Sequence, residues 1–407
     1  MMRHLIQIFQ RSALRHQSFR RLWVTTLLSS TARWADLIVV GWLTLELTDS
    51  ALMVGIVTAC KMAGYILAPL MGVAADRMDR RKLLIVASII SGSLTALMLV
   101  LLMTGSLTVS YLIALSLLSS LTWALDYPAR QALVPDLVEP EDLTNAIALN
   151  SVATEMTVIV GPAMGGLLIP LLGISGTYWL IALIYCVDLG VLCSLKKVKQ
   201  SDPQLHEPPL SSLLNGIRYA WQNHAVLIPL LIAFLLNLLV APYRYSFLPL
   251  FARYVLDAGP TGYGFLTSMA GCGALVAGLW MVSRNKLIRR GRWLIFGSLL
   301  WPATLFLFSL STSYYVSLAL IFFAGLAQAF CWTMIATLIL SNTAPAMRGR
   351  VMGLRTGVVI SLPFGNFLAG AAAQSWGPSL ALGAYATISI LLMAVIFLLV
   401  PKLRNLD

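Results

Sequence analysis

Four ionisable side chains sit where an apolar chain can least accommodate them: Arg33 and Asp36 in the apolar run 22–47, Lys61 in 51–74, and Glu155 in 145–171. Arg33 and Asp36 lie 11 and 14 residues into their run. At 1.5 Å per helical residue that is about 16 to 21 Å from its start, near the middle of a bilayer. Their i, i+3 spacing puts them on one helix face. Lys61 and Glu155, each ten residues into its run, reach similar depth. Four isolated charges in hydrocarbon would cost roughly 10 to 14 kcal/mol, so they must be paired or wet. A carboxylate that is partly desolvated and flanked by a base can exchange a proton as its surroundings open to either side. Asp36 and Glu155 are the candidate proton carriers, with Arg33 and Lys61 setting their affinity. Ion pairs that only hold helices together are the plainer alternative.

Membrane helices must position these charges. Of 407 residues, 59% are hydrophobic and 11% charged, far from the roughly 25% charged residues of soluble domains. Twelve apolar runs are long enough to cross a core of about 30 Å: 22–47, 51–74, 83–103, 108–128, 145–171, 177–195, 226–250, 262–283, 293–311, 314–340, 350–374 and 378–400. They are continuous and do not alternate with period two, which predicts an all-α membrane protein of twelve transmembrane helices and not a barrel. The hydrophilic interruption 196–225 divides them into bundles of six at 22–195 and 226–401. Before them lies an arginine-rich amphipathic segment, 1–21, and after them a short tail, 402–407. The first run is too long for a signal peptide and should remain as the first helix.

The net charge of +12 would suit nucleic acid if the basic residues formed one patch, but they are spread over loops, so the expected partner is the bilayer. All 28 basic residues except Arg33, Lys61, Arg244 and Arg253 fall on or beside one face. The positive-inside rule then predicts that both termini are cytoplasmic. Arg244, between Tyr243 and Tyr245 near the outer end of the seventh run, is expected to snorkel to the interface. The five cysteines show no CxxC pair and no histidine at ligand spacing, so neither a metal nor a disulfide is expected. Nucleotide loops, zinc spacings and a nucleophile elbow are likewise missing from the sequence, so the chain reads as no enzyme and needs no cofactor.

The densest charge cluster is Gly72-Val-Ala-Ala-Asp76-Arg77-Met78-Asp79-Arg80-Arg81-Lys82, between the second and third runs. Its pattern resembles the helix two to three loop of the major facilitator superfamily, with Asp79 where the family form has glycine. Asp126-Tyr127-Pro128-Ala129-Arg130, Asn145-Ala146-Ile147-Ala148-Leu149-Asn150 and Arg348-Gly349-Arg350-Val351-Met352-Gly353 are similar to the branch that includes enterobactin exporters and drug-efflux-like proteins of bacteria. The halves also look like weak repeats: Gly161-Pro162 through Gly165 and Gly166 is echoed by Pro363, Gly365 and Gly370.

The resemblance implies two six-helix bundles around a midplane cavity that opens to each side in turn. Helices one, two, four and five would gather Arg33, Asp36, Lys61 and Glu155 there. Helix six is usually peripheral, which ranks the deep Asp188 below them. The resemblance also implies a cytoplasmic latch of Gly72, Asp76, Arg77, Arg80, Arg81, Asp126 and Arg130, with Arg80 paired to Asp126. Gly161, Pro162, Gly165 and Gly166 resemble the helix-five motif of antiporters, with Thr157 at its leading glycine. Small residues there allow close helix approach and the proline permits a bend. In the second half Asn237, Gln328, Trp332 and Asn366 are cavity candidates. The expected function is a monomeric, proton-coupled exporter of small amphipathic molecules such as siderophores or drugs in the bacterial cytoplasmic membrane. A nutrient uptake or facilitated-diffusion carrier, and a non-transporting scaffold or sensor, are the alternatives.

Overall fold

A computed structural model describes residues 12–67, 78–195, 209–283 and 290–400, and the regular structure among them is all helical. Helix α1 spans Gln17–Thr48. It is followed by α2, Ala51–Leu67, α3, Arg80–Met103, α4, Val109–Leu133, and α5, Leu143–Cys193. The short α6, Pro209–Gln222, leads into α7, His224–Val255. Then come α8, Gly259–Ser283, α9, Arg290–Ser309, α10, Tyr314–Ser341, α11, Arg348–Trp376, and α12, Pro378–Leu399. Among the described residues nine helices are long and apolar enough to cross a membrane. Helix α2 is apolar but shorter, and α1, with Arg33 and Asp36 at its middle, is not one of the nine. Leu171, Leu183, Leu307, Leu391 and Leu398 are exposed on the outside. Such an apolar surface needs lipid to cover it, and the chain is a multi-pass integral membrane protein.

Local chemistry starts the helices where polar residues can cap them. Ser50, Asp79 and Thr108 accept from the backbone N–H of Met53, Lys82 and Tyr111 at the starts of α2, α3 and α4. The runs 145–171 and 177–195 are not separated by a loop, as their spacing suggested. They are two limbs of α5 that meet at Gly173, whose φ of 71° and ψ of 173° suit only glycine. Gly377 joins α11 to α12 with nearly the same backbone, φ 79° and ψ 158°. The junction is thus repeated in the two parts of the chain.

Helix α7 departs from regular geometry. Its middle and end contain three π-helical turns, Leu236–Val240, Tyr243–Phe247 and Phe251–Val255. The Ala241 N–H donates five residues back to Leu236, at 2.8 Å, and Leu256 to Phe251 at 2.9 Å. Pro242 and Pro249 have no N–H to give, so the usual ladder cannot pass through them.

Two glycine crossings bring the first helices against the last ones. At the α2–α11 crossing a Cβ on Gly55 would lie 2.7 Å from the Gly370 Cα. At the α5–α8 crossing a Cβ on Gly166 would lie 2.8 Å from the Gly264 Cα. The turn between α1 and α2 clasps this same end. Asp49 pairs with Arg253 at 3.0 Å and accepts from Tyr254 at 2.7 Å, while Ser50 donates to Gln374 at 3.0 Å. Asp49 is 71% exposed, and exposed pairs contribute only about 0 to 1 kcal/mol. Asp49→Ala should therefore leave the melting temperature within about 2 °C of the parent in a thermal-shift assay. A larger drop would mean that the clasp holds the fold and not only this end.

Candidate functional site

The site is built first around Asp126. On α4, Asp126 and Arg130 are one turn apart and face the same way. The Arg130 Nε donates to both carboxylate oxygens, at 3.0 and 2.9 Å, and its Nη1 donates to Thr25 of α1 at 2.8 Å. Arg33 reaches across from α1 and donates to the Asp126 Oδ2 at 3.0 Å. Asp126 is thus held by two arginines. Asp188, fully buried on the second limb of α5, accepts from Ser88 of α3 at 2.7 Å and makes no ion pair among the described residues.

A second centre lies beside it. Lys61 of α2 donates to Asp36 in a close ion pair, and the Tyr178 hydroxyl donates to the other Asp36 oxygen at 3.0 Å. Arg33 and Asp36 share a helix face, but each pairs with a different neighbouring helix, so the i, i+3 pair suggested by their spacing is replaced by two interhelical pairs. Both centres line one cavity of about 1440 Å³, counted to its open mouth. Glu155 does not join them. It is exposed, one turn before Ile159, whose carbonyl accepts from Ser268 of α8 at 2.7 Å. The expected gathering of four charges therefore holds for three.

Of the proposed latch, Gly72, Asp76 and Arg77 lie outside the described residues, as do 1–11, 196–208 and the tail. Arg80 does not pair with Asp126. It donates to Asp136 at 2.5 Å and to the Ala132 carbonyl at 2.9 Å, because Asp126 points inward and is already held by two arginines. Arg81 donates to the Cys193 carbonyl at 2.8 Å, and Arg21 to that of Ser194. These guanidinium groups satisfy carbonyls at the end of α5, where the helix dipole favours cations.

The glycines of the helix-five motif face two ways. A Cβ on Gly165 would fall 2.8 Å from the Ala35 carbonyl of α1, and Gly161 lies against Trp34 and Thr31. Gly166 faces α8, and the Pro162 carbonyl meets Gly264. The motif seats α5 between α1 and α8, leaving no room for side chains there.

Asn237, Gln328 and Trp332 line a second cavity that shares Tyr65, Trp123, Tyr127 and Tyr245 with the first. Tyr65 and Trp123 stand 4.0 Å apart at their centroids, and Trp123 stacks on Tyr127 at 5.4 Å. Asn366 is not at either cavity. It is fully buried, accepting from Ser246 at 2.8 Å and donating to the Leu362 carbonyl at 2.9 Å, and so ties α11 to α7. Nor does Arg244 snorkel. It is 7% exposed and lines the second cavity. The aromatic residues around it and Pro242 just before it were the only hint in the sequence.

The model of the transmembrane secretion effector family matches residues 10–407. The chain is 26% identical over 383 residues to the multidrug efflux pump Tap of Mycolicibacterium fortuitum, covering 90% of this chain and 91% of that one. It is 28% identical over 316 residues to the enterobactin exporter EntS of Escherichia coli O1:K1, covering 77% and 72%. Its fold is that of the nucleoside transporter NupG, with a TM-score of 0.72 at 13% identity over 94% of this chain and 98% of that one. A bacterial homologue of the human lysosomal transporter Spinster, solved in an inward-facing and unoccupied conformation, superposes with a TM-score of 0.68 at 14% identity over 96% of each. With the helical architecture, the glycine crossings and a membrane cavity lined by paired charges, these likenesses place the chain in the transmembrane secretion effector family of the major facilitator superfamily, a membrane transporter and not an enzyme.

Proposed function

We propose that this transporter exports small amphipathic molecules in exchange for protons by alternating access. The observation that carries the reading is the Lys61–Asp36–Tyr178 centre, an ion pair that lines the cavity. A proton arriving at Asp36 would free Lys61 and change the charge that the cavity presents. That gives loading and proton binding opposite effects on the same space. The aromatic walls suit an amphipathic passenger.

In this reading twelve spans form two six-helix halves, 22–195 and 226–401, with both termini in the cytoplasm. The distribution of basic residues supports that orientation. The glycine crossings and the Asp49 clasp would then close the outer side, leaving the cavity facing inward. The protein would act as a monomer in the bacterial cytoplasmic membrane. Glu155 is the second candidate carrier.

The test uses purified protein in liposomes with an internal pH-sensitive dye, adding hydrophobic drugs and siderophores in turn. Substrate-triggered proton movement is expected in the parent and lost in Asp36→Asn. Substrate crossing without any proton movement would remove coupling and leave a facilitated carrier. An unchanged proton flux in Asp36→Asn would move the carrier role to Glu155, tested by Glu155→Gln.

A further inference from the structure

Every deep cation of the first helices is held by an acid, but Arg244 is not. It is more than nine-tenths buried, yet no carboxylate among the described residues comes within ion-pair distance of it. Its Nη2 donates to the Gln328 Oε1 at 3.3 Å, and its Nε has no hydrogen-bond partner among the described residues. A buried guanidinium with an unmet donor is costly unless something else meets it.

The surroundings specify what could meet it. The guanidinium carbon lies 5.9 Å from the Trp34 ring and 6.0 Å from the Tyr243 ring. Trp34 and Tyr245 line the first cavity, and Arg244 lines the second, so the cation stands where the two join. Its backbone lies in the π-helical turn Tyr243–Phe247, a distortion that turns consecutive side chains off the regular helical register. Gly161 leaves the room that Trp34 occupies. The guanidinium fork matches a carboxylate in two parallel hydrogen bonds, and the rings beside it match a flat aromatic body.

We infer that Arg244, walled by Trp34, Tyr243 and Tyr245 and oriented by Gln328, is the binding site for the carboxylate of an acidic aromatic substrate. The site spans both parts of the chain, Trp34 from the first and Arg244 and Gln328 from the second. Binding there therefore depends on how the two parts face each other. The inference deepens the export reading by naming a class of passenger, but binding to the site does not require proton coupling.

The test is equilibrium calorimetry on the full-length protein in detergent, with salicylate and its neutral counterpart salicylamide. Salicylate should bind at least about tenfold more tightly, the effect of a charge-assisted pair. Arg244→Gln should erase that preference while leaving salicylamide binding unchanged, and Arg244→Lys should restore part of it. Unaltered gel-filtration and melting profiles would establish that the variants are folded. Equal binding of the two compounds, no binding of either, or a preference that survives in Arg244→Gln would overturn the inference. No gradient is present, so these outcomes are independent of the liposome result: coupling can fail while the anion site stands, and the reverse.

Discussion

Arg130→Ala is expected to lower the melting temperature of the detergent-purified protein sharply and to abolish transport. The side chain donates twice to Asp126 and once to Thr25 in a buried position. Removing one partner of a buried ion pair costs up to about 3 to 5 kcal/mol, and Asp126 would keep only its single bond from the partly exposed Arg33. Asp126→Asn should be at least as damaging, since it deprives Arg33 and Arg130 together. Arg33→Ala should be milder: Arg33 is 25% exposed and makes one bond to a carboxylate that Arg130 still holds. Arg130→Lys keeps the charge but not the fork, and should recover only part of the loss. Thermal-shift measurements on the four variants would check the order. A melting temperature for Arg130→Ala within about 2 °C of the parent would mean that the network contributes little to the fold.

Gly370→Val is expected to prevent closure of the clasped end and to reduce transport by at least about tenfold, as a change in the population of conformers and not in stability. A Cβ at this position would lie 2.6 Å from the Gly55 Cα and 2.8 Å from the Ala51 carbonyl, both backbone atoms that cannot swing aside. The helices would have to separate, which under the proposed alternating access is half of the transport cycle. Ser50→Cys with Gln374→Cys, in a chain whose five native cysteines are replaced, gives a readout through a short bis-maleimide. Crosslinking should be fast in the parent and slowed in Gly370→Val, with transport falling in parallel. Gly264→Val at the α5–α8 crossing should act in the same way, since Gly166 meets it as closely. If both crosslinking and transport survive Gly370→Val, the crossing is not a moving contact.

The amino-acid sequence alone determined that this is a helical membrane protein and roughly where its helices run. That follows from hydropathy and chain length, which act residue by residue and need no partner. Arg33, Asp36 and Lys61 were legible for the same reason: a charge in hydrocarbon is costly wherever its partner stands. The glycines at 161, 165 and 166 were legible as places of close approach. Which helices approach was not, because a missing side chain does not say what fills its space.

Tertiary structure decided the pairings. Arg33 bonds to Asp126 and not to Asp36, and Arg80 bonds to Asp136 and not to Asp126, because charges choose among neighbours brought in from other helices. Local spacing ranks only the neighbours on the same helix. Asp188 meets Ser88 of α3 through the turn at Gly173. Asn366 was withdrawn from the cavity into the α7–α11 contact. Arg244 came inward with the widened turns of α7, where Pro242 and Pro249 interrupt the hydrogen-bond ladder. Hydropathy is a property of each residue and its near neighbours in the chain, whereas a charge inside a membrane is compensated by whatever the fold places within a few ångströms.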